Sequence, residues 1–85
     1  MPAKSLHSIP SSSRAYVATN VRRHRKAMGL SQEKLGELAE LHRTYVSQLE
    51  CRRANISIDS LERIALILGV DSAQLLKPTE EEEEA

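Results

Sequence analysis

The chain has 85 residues, which is enough for one small domain with a core of aliphatic side chains. Its two aromatic residues, Tyr16 and Tyr45, argue against a β-sandwich and against a surface that stacks nucleic-acid bases. The single cysteine, Cys51, excludes an internal disulfide, and no stretch is apolar enough for a signal peptide or a membrane span. We therefore expect an all-α protein of the cytoplasm.

The formal net charge is zero, but the charges are distributed unevenly along the chain. Residues 14–55 hold nine Lys and Arg against four Glu, whereas residues 56–85 hold two Lys and Arg against eight Asp and Glu. A net charge of zero by itself argues against binding of nucleic acid, but the first part of the chain is a cationic body.

The chain begins with a segment that shows no apolar period. Residues 1–13 contain two prolines and a serine run, which predicts a flexible arm. A first helix is predicted over residues 14–28, with Ser13 as a candidate N-cap, Gly29 just beyond its end and Met28 on its inner face.

Two short helices follow, separated by only a few residues. Ser31 is expected to cap the second helix over residues 32–39, in which Leu38 is among the candidates for burial. The third helix is predicted over residues 42–50, HRTYVSQLE. The connection is too short for an antiparallel hairpin but long enough for a helix-turn-helix corner.

The last two helices carry clear start and stop residues. Ser57 caps a fourth helix and Gly69 ends it, while Asp71 and Gln74 have the spacing of a capping box for a fifth. The apolar residues of the fourth helix recur at i, i+3, i+4 and i+7, namely Leu61, Ile64, Ala65 and Leu68. Residues 78–85, PTEEEEEA, predict an acidic disordered tail. We interpret it as a solvated end, with competition for the cationic body as the second interpretation.

The third helix has two chemically different faces. Val46 and Leu49 share one face. The opposite arc of about 140° is polar and contains no acid. Its residues are Arg43, Thr44, Ser47 and Gln48. A solvated helix face usually mixes both signs of charge, so this composition indicates a surface that recognises a ligand.

The sequence LSQEKLGELAELHRTYVSQLE resembles the helix-turn-helix of the lambda-repressor-like (Cro/XRE) family, together with VRRHRKAMG before it and SIDSLERIALILGV after it. The resemblance covers residues 15 to 77, and HRTYVSQLE is similar to the controller proteins of restriction-modification systems. It implies a five-helix domain whose third helix reads base edges in the DNA major groove.

The resemblance also implies roles for individual residues. It matches Arg43, Thr44 and Gln48, with Ser47 beside them, to base-contacting positions, and Arg25 with Glu50 to a buried ion pair. The candidate phosphate contacts are Gln32, Arg22, His42, Arg52, Arg53 and Asn55. Two positions depart from the family pattern. Glu40 stands where Gly is usual and Gly36 where Ala is usual, and we expect each to cost about 1 kcal/mol.

We interpret the protein as a sequence-specific transcriptional regulator, a repressor or autoregulator, that binds double-stranded DNA. The apolar arc of the fourth helix is wider than one core-facing side needs. The extra residues are Ile58, Leu66 and Ile67, and we expect them to make a two-fold contact together with Val70 and the fifth helix. They predict a homodimer on a palindromic operator, without a cofactor or small-molecule ligand.

Other functions fit the sequence less well. The main alternative is an antitoxin-type module that binds a partner toxin as well as DNA. A metal site lacks suitably spaced ligands, and an enzyme lacks a phosphate loop or an activated nucleophile. Cys51 precedes two arginines, which suggests redox sensing only weakly. RNA binding lacks the aromatic residues that stack on bases.

Overall fold

The computed structural model describes residues 12–78, and within that range it contains five α-helices and no β-strand. In chain order, these are α1 (Ser12–Ala27), α2 (Gln32–Ala39), α3 (Arg43–Glu50), α4 (Ile58–Leu68) and α5 (Ser72–Leu75). The expected all-α class with five helices is confirmed. Most of the predicted arm and tail, residues 1–11 and 79–85, lies outside the described residues.

The helix starts follow the predicted caps, with one difference. The Ser31 hydroxyl accepts a hydrogen bond from the Lys34 amide at 2.9 Å, and Ser57 caps α4 in the same way. The Asp71 amide donates to Oε1 of Gln74 at 2.9 Å, as expected for a capping box. Ser13 lies inside α1 and is not its N-cap, because helical backbone already includes Ser12.

Helices α1 to α4 each end in a turn of the same type. In each, one residue takes a left-handed backbone, with φ of 71° at Gly29, 58° at Glu40, 65° at Arg52 and 72° at Gly69. The amide of the next residue then donates back to the carbonyl five residues earlier, at 2.7 to 3.0 Å. Two of these turns lack glycine, and a left-handed L-residue costs about 1 kcal/mol or more.

The core consists of aliphatic side chains from all five helices. Its fully buried apolar members are Val21, Leu35, Val46, Ile64 and Leu75. All four apolar residues predicted on the inner face of α4 are buried.

Two residues predicted to be buried are about half exposed, Met28 by 50% and Leu38 by 43%. Met28 follows the last residue of α1, where the chain turns away from the packing face. Leu38 lies at the edge of the arc around Leu35 and Ala39 that α3 and α4 cover.

A buried asparagine fixes the last helix to the first. The Asn20 side chain is 1% exposed, and its amide donates to the carbonyl oxygens of Leu75 at 3.0 Å and Lys77 at 2.8 Å. A third, longer contact of 3.3 Å reaches the carbonyl of Gln74. Asn20 therefore holds α5, and the chain that leaves it, against the middle of α1.

The corner between α2 and α3 depends on Gly36. A Cβ at this position would lie 2.6 Å from the carbonyl oxygen of Leu41 and 3.4 Å from the amide nitrogen of Arg43. The expectation that glycine merely weakens α2 here is wrong, because the turn passes so close to Gly36 that alanine does not fit without a backbone shift.

Candidate nucleic-acid interface

The turn between α2 and α3 consists of Glu40, Leu41 and His42. The left-handed Glu40 reverses the chain, and the Leu41 amide donates to the Gly36 carbonyl at 2.7 Å. His42 is the N-cap of α3, since its ring Nδ1 accepts a hydrogen bond from the Thr44 amide at 3.0 Å. With Nδ1 as acceptor, the ring proton is on Nε2, which remains a donor on an exposed residue.

The polar face of α3 is open to solvent. Arg43, Thr44 and Gln48 are exposed and Ser47 is half-buried, whereas Val46 and Leu49 on the opposite face are buried. Burial of this apolar pair fixes the rotation of α3 about its axis. The four residues predicted to contact bases are thus presented together on one side of the domain.

Arg43 forms an ion pair that its position in the sequence does not reveal. Its guanidinium Nη1 lies 3.0 Å from Oε2 of Glu33 on α2, and both side chains are about two-thirds exposed. An exposed pair of this kind contributes at most about 1 kcal/mol. Glu33 can therefore pre-position Arg43 without preventing it from binding another acceptor.

An open cleft runs between the first turns of α2 and α3, and we call it the α2–α3 cleft. It is lined by Arg25, Ser31, Gln32, Glu33, Arg43, Thr44 and Ser47. The cleft brings one predicted phosphate contact, Gln32, beside three of the predicted base contacts. Gln48, one turn further along α3, lies outside it.

Arg25, which lines this cleft, forms a bidentate ion pair with Glu50. The Arg25 guanidinium donates to the two carboxylate oxygens of Glu50 at 2.7 and 2.9 Å, and the side chains are 10% and 3% exposed. The hydrogen bonds to Glu50 raise the pKa of Arg25 further above its ordinary value, although burial acts in the opposite direction. Arg25 also donates to the Leu30 carbonyl at 2.8 Å. The pair therefore connects α1, the loop before α2, and the end of α3.

Gln32 joins this network. Its amide Nε2 donates to Oε1 of Glu50 at 3.1 Å. An amide nitrogen carries two hydrogens, so this bond fixes the orientation of Gln32 and leaves one donor for a further acceptor. Gln32 is also the first residue of α2, where the backbone N–H groups and the helix dipole favour an anion.

The other predicted phosphate contacts lie in two places. Arg22 and Arg52 line a second cleft, on the Glu50 side of the ion pair, which we call the cationic cleft. Arg53 is exposed beyond the end of α3. Asn55 accepts a hydrogen bond from Arg14 on its side chain and one from the Tyr45 hydroxyl, at 3.2 Å, on its backbone.

Sequence reasoning missed the full extent of the cationic cleft. Its remaining lining residues are Ala18, Thr19, Arg23, Lys26 and Glu50. The spacing of Thr19, Arg22, Arg23 and Lys26 at i, i+3, i+4 and i+7 is the pattern that could have identified it, because these residues share one face of α1.

The residues predicted to form a dimer interface fall into two groups. Ile58 and Leu66 are 74% and 78% exposed, which is unusual for such large apolar side chains. Ile67 and Val70 are partly buried and pack against the core of their own domain. The exposed pair is therefore the more available for a contact with another molecule.

Residues 12–78 contain no cluster of three His, Cys, Asp or Glu side chains that could hold a metal ion. Cys51 is exposed at the end of α3. None of the helices in the same range is long and apolar enough to cross a membrane.

Comparison with known proteins agrees with this architecture. The helix-turn-helix family matches residues 21–75. A protein described as a hypothetical transcription factor of Neisseria meningitidis is 46% identical over 68 residues, which is 80% of this chain and 64% of that relative. This chain thus spans just under two thirds of the relative's length. A crystal structure of a Neisseria protein so described has a TM-score of 0.79 at 38% identity and covers 91% of this chain and 93% of that one.

Two further solved structures are similar. The restriction-modification controller protein C.AhdI of Aeromonas hydrophila has a TM-score of 0.70 at 32% identity, covering 73% of this chain and 94% of that one. The biofilm regulator SinR, solved in complex with DNA, has a TM-score of 0.69 at 31% identity, covering 72% of this chain and 98% of that one. The chain belongs to the helix-turn-helix family, and its domain is of the DNA-binding kind found in transcriptional regulators.

Proposed function

We propose that this protein is a transcriptional regulator that reads double-stranded DNA by placing α3 in the major groove. The observation that carries the proposal is the exposed face of α3, on which Arg43, Thr44 and Gln48 stand together. The one acid of this helix, Glu50, has its side chain buried in the ion pair with Arg25. Arg can donate two hydrogen bonds to guanine, Gln can pair with adenine, and Thr can contact a thymine methyl group. Ser47, beside them, adds a hydroxyl.

Phosphate contacts on both sides of α3 would set the position of this helix in the groove. Gln32 offers its second amide hydrogen and the start of α2, and His42 offers Nε2. The backbone beyond the other end of α3 would be held by Arg22 and Arg52, which line the cationic cleft, and by the exposed Arg53 and Asn55. The similarity to SinR, which has been solved with DNA, supports this arrangement.

We further propose that the protein acts in the cytoplasm, as a homodimer on a palindromic operator, and that it represses or autoregulates transcription. Ile58 and Leu66 supply exposed apolar surface for a two-fold contact. The similarity to a transcription factor and to a restriction-modification controller protein supports regulation. Nothing in these similarities favours the antitoxin alternative.

Selection from random duplex oligonucleotides tests the proposal. We expect one enriched motif with two-fold symmetry, and an affinity that falls steeply as salt rises because each phosphate contact releases counterions. Enrichment of no motif, or binding that does not depend on salt, would contradict a specific regulator.

A further inference from the structure

The cationic cleft concentrates positive charge on one face of the domain. Arg22, Arg23 and Lys26 extend along α1, and Arg52 faces them from the turn after α3. Among residues 12–78, Glu50 is the only acid that lines the cleft, and its carboxylate is already bound by Arg25 and Gln32. Cations therefore outnumber acids four to one in this lining, and its composition suits a flexible polyanion better than an apolar ligand.

The chain leaves the domain close to this cleft. The Asn20 amide holds the Lys77 carbonyl at 2.8 Å, so the departing chain starts from the middle of α1. Thr19 and Arg23 line the cleft, and they lie one residue before and three residues after Asn20. The exit point and the cleft thus lie on adjoining faces of one helix.

The sequence after this exit point is strongly acidic, with five consecutive glutamates at residues 80–84. An extended chain spans at most about 3.6 Å per residue, so these glutamates can reach points about 10 to 25 Å from Lys77. A helix with its side chains is only about 10 to 12 Å wide. The acidic segment is therefore long enough to pass around α1 and enter the cleft.

We infer that residues 80–84 dock in the cationic cleft, cover Arg22 and Arg52, and so lower the affinity of the protein for DNA. Tethering raises the local concentration of the segment to about the millimolar range, so that weak contacts are sufficient for docking. DNA must displace the segment before phosphates can reach the two arginines. The effect on DNA rests on the function proposed above, whereas docking itself does not.

Two consequences distinguish docking from a simple change in net charge. Only molecules with an empty cleft make all contacts to DNA, so the apparent affinity falls in proportion to the unoccupied fraction. We expect replacement of the five glutamates by glutamine to tighten binding about three- to tenfold at 50 mM salt. Docking also releases counterions before DNA arrives. The glutamine variant, which lacks this docking, should therefore show a steeper fall of the logarithm of the DNA-binding constant with the logarithm of the salt concentration. We expect the slope to be steeper by about one or two units.

The matched control has the same net charge as the natural chain. It carries glutamine at residues 80–84 and five glutamates inserted ahead of Met1. If docking at the exit from α5 matters, this control should bind DNA more tightly than the natural chain and approach the glutamine variant. Equal affinity of the natural chain and the control would mean that only net charge acts, and would overturn the inference.

A second measurement detects docking without DNA. A nitroxide is attached to a cysteine introduced as Glu83→Cys in a Cys51→Ser background, and the relaxation of backbone amides is measured by NMR. We expect broadening at residues 19–26 and Arg52, but not along the exposed face of α4. The broadening should disappear in about 0.5 M salt, where charges are screened beyond roughly 4 Å. Broadening spread evenly over the amide signals of the domain, or no broadening at all, would overturn docking. If no variant binds DNA but the broadening is local, the proposed function fails while docking stands.

Discussion

Removing one partner of the Arg25–Glu50 ion pair should strongly destabilise the domain. Glu50→Leu deletes a carboxylate that is 3% exposed and leaves the Arg25 guanidinium, 10% exposed, without its two charge-assisted hydrogen bonds. A buried charge without its partner costs about 3 to 5 kcal/mol. For a domain of this size, each kcal/mol lowers Tm by about 4 to 8 °C, so we expect a fall of at least about 12 °C.

The double variant Arg25→Met with Glu50→Leu measures the coupling. Replacing both charges with apolar side chains of similar size removes the unpaired ion, so urea unfolding should recover much of the loss. Recovery should be incomplete, because the Leu30 carbonyl and the Gln32 amide each lose a hydrogen bond worth about 1 kcal/mol.

The exposed pair Lys34–Glu37, with its charged atoms 3.5 Å apart, is the matched control. Its double-variant cycle should give a coupling below about 0.5 kcal/mol. Strictly additive losses at Arg25 and Glu50 would refute the reasoning, since they would show that the two charges do not stabilise each other.

Three further changes test the turn, the anchor of α5 and the dimer. Glu40→Gly should raise the free energy of unfolding in urea by about 1 kcal/mol, since it relieves a φ of 58°. Gly36→Ala should lower it despite the better helix propensity of alanine, because the new Cβ meets backbone at 2.6 Å; a gain would contradict the close contact. Asn20→Ala should cost about 1 to 3 kcal/mol and speed hydrogen exchange in α5; unchanged exchange would mean that other contacts hold α5. Leu66→Glu should halve the mass measured by sedimentation, and an intact dimer would exclude this residue from the interface.

The parts of the fold that could be predicted from sequence are those with redundant local patterns. In α4, four apolar residues at helical spacing lie between Ser57 and Gly69, so period and caps agree on one answer. The polar face of α3 is equally local, because the positions of Val46 and Leu49 determine which side is buried.

The contacts that were missed depend on tertiary structure. Asn20 looks like an exposed polar residue in the sequence, and only the approach of the chain after α5 gives it buried partners. Gly36 appears to be a weak helix residue until the Leu41 carbonyl lies against it. Arg52 has a left-handed backbone, although arginine gives no sequence indication of such a turn.

The same limit applies to the candidate interface. Spacing and resemblance identify Arg43 and Gln32, but their partners Glu33 and Glu50 are 10 and 18 residues away. Pairing at such separations depends on how α1, α2 and α3 pack, which no helical period encodes. The α2–α3 cleft therefore emerges only from the three-dimensional arrangement.

The central claim is that α3 reads bases, and it is tested most directly by comparing Arg43→Ala with Arg53→Ala. Each variant is titrated against the selected operator and all of its single base-pair variants at fixed salt. We predict that Arg43→Ala loses about 1 to 3 kcal/mol, or about 5- to 150-fold in Kd, and no longer discriminates at one base pair of each half-site. Arg53→Ala should weaken all sequences equally and reduce the salt slope by about one. If both variants weaken every sequence by the same factor, α3 does not read the operator through Arg43.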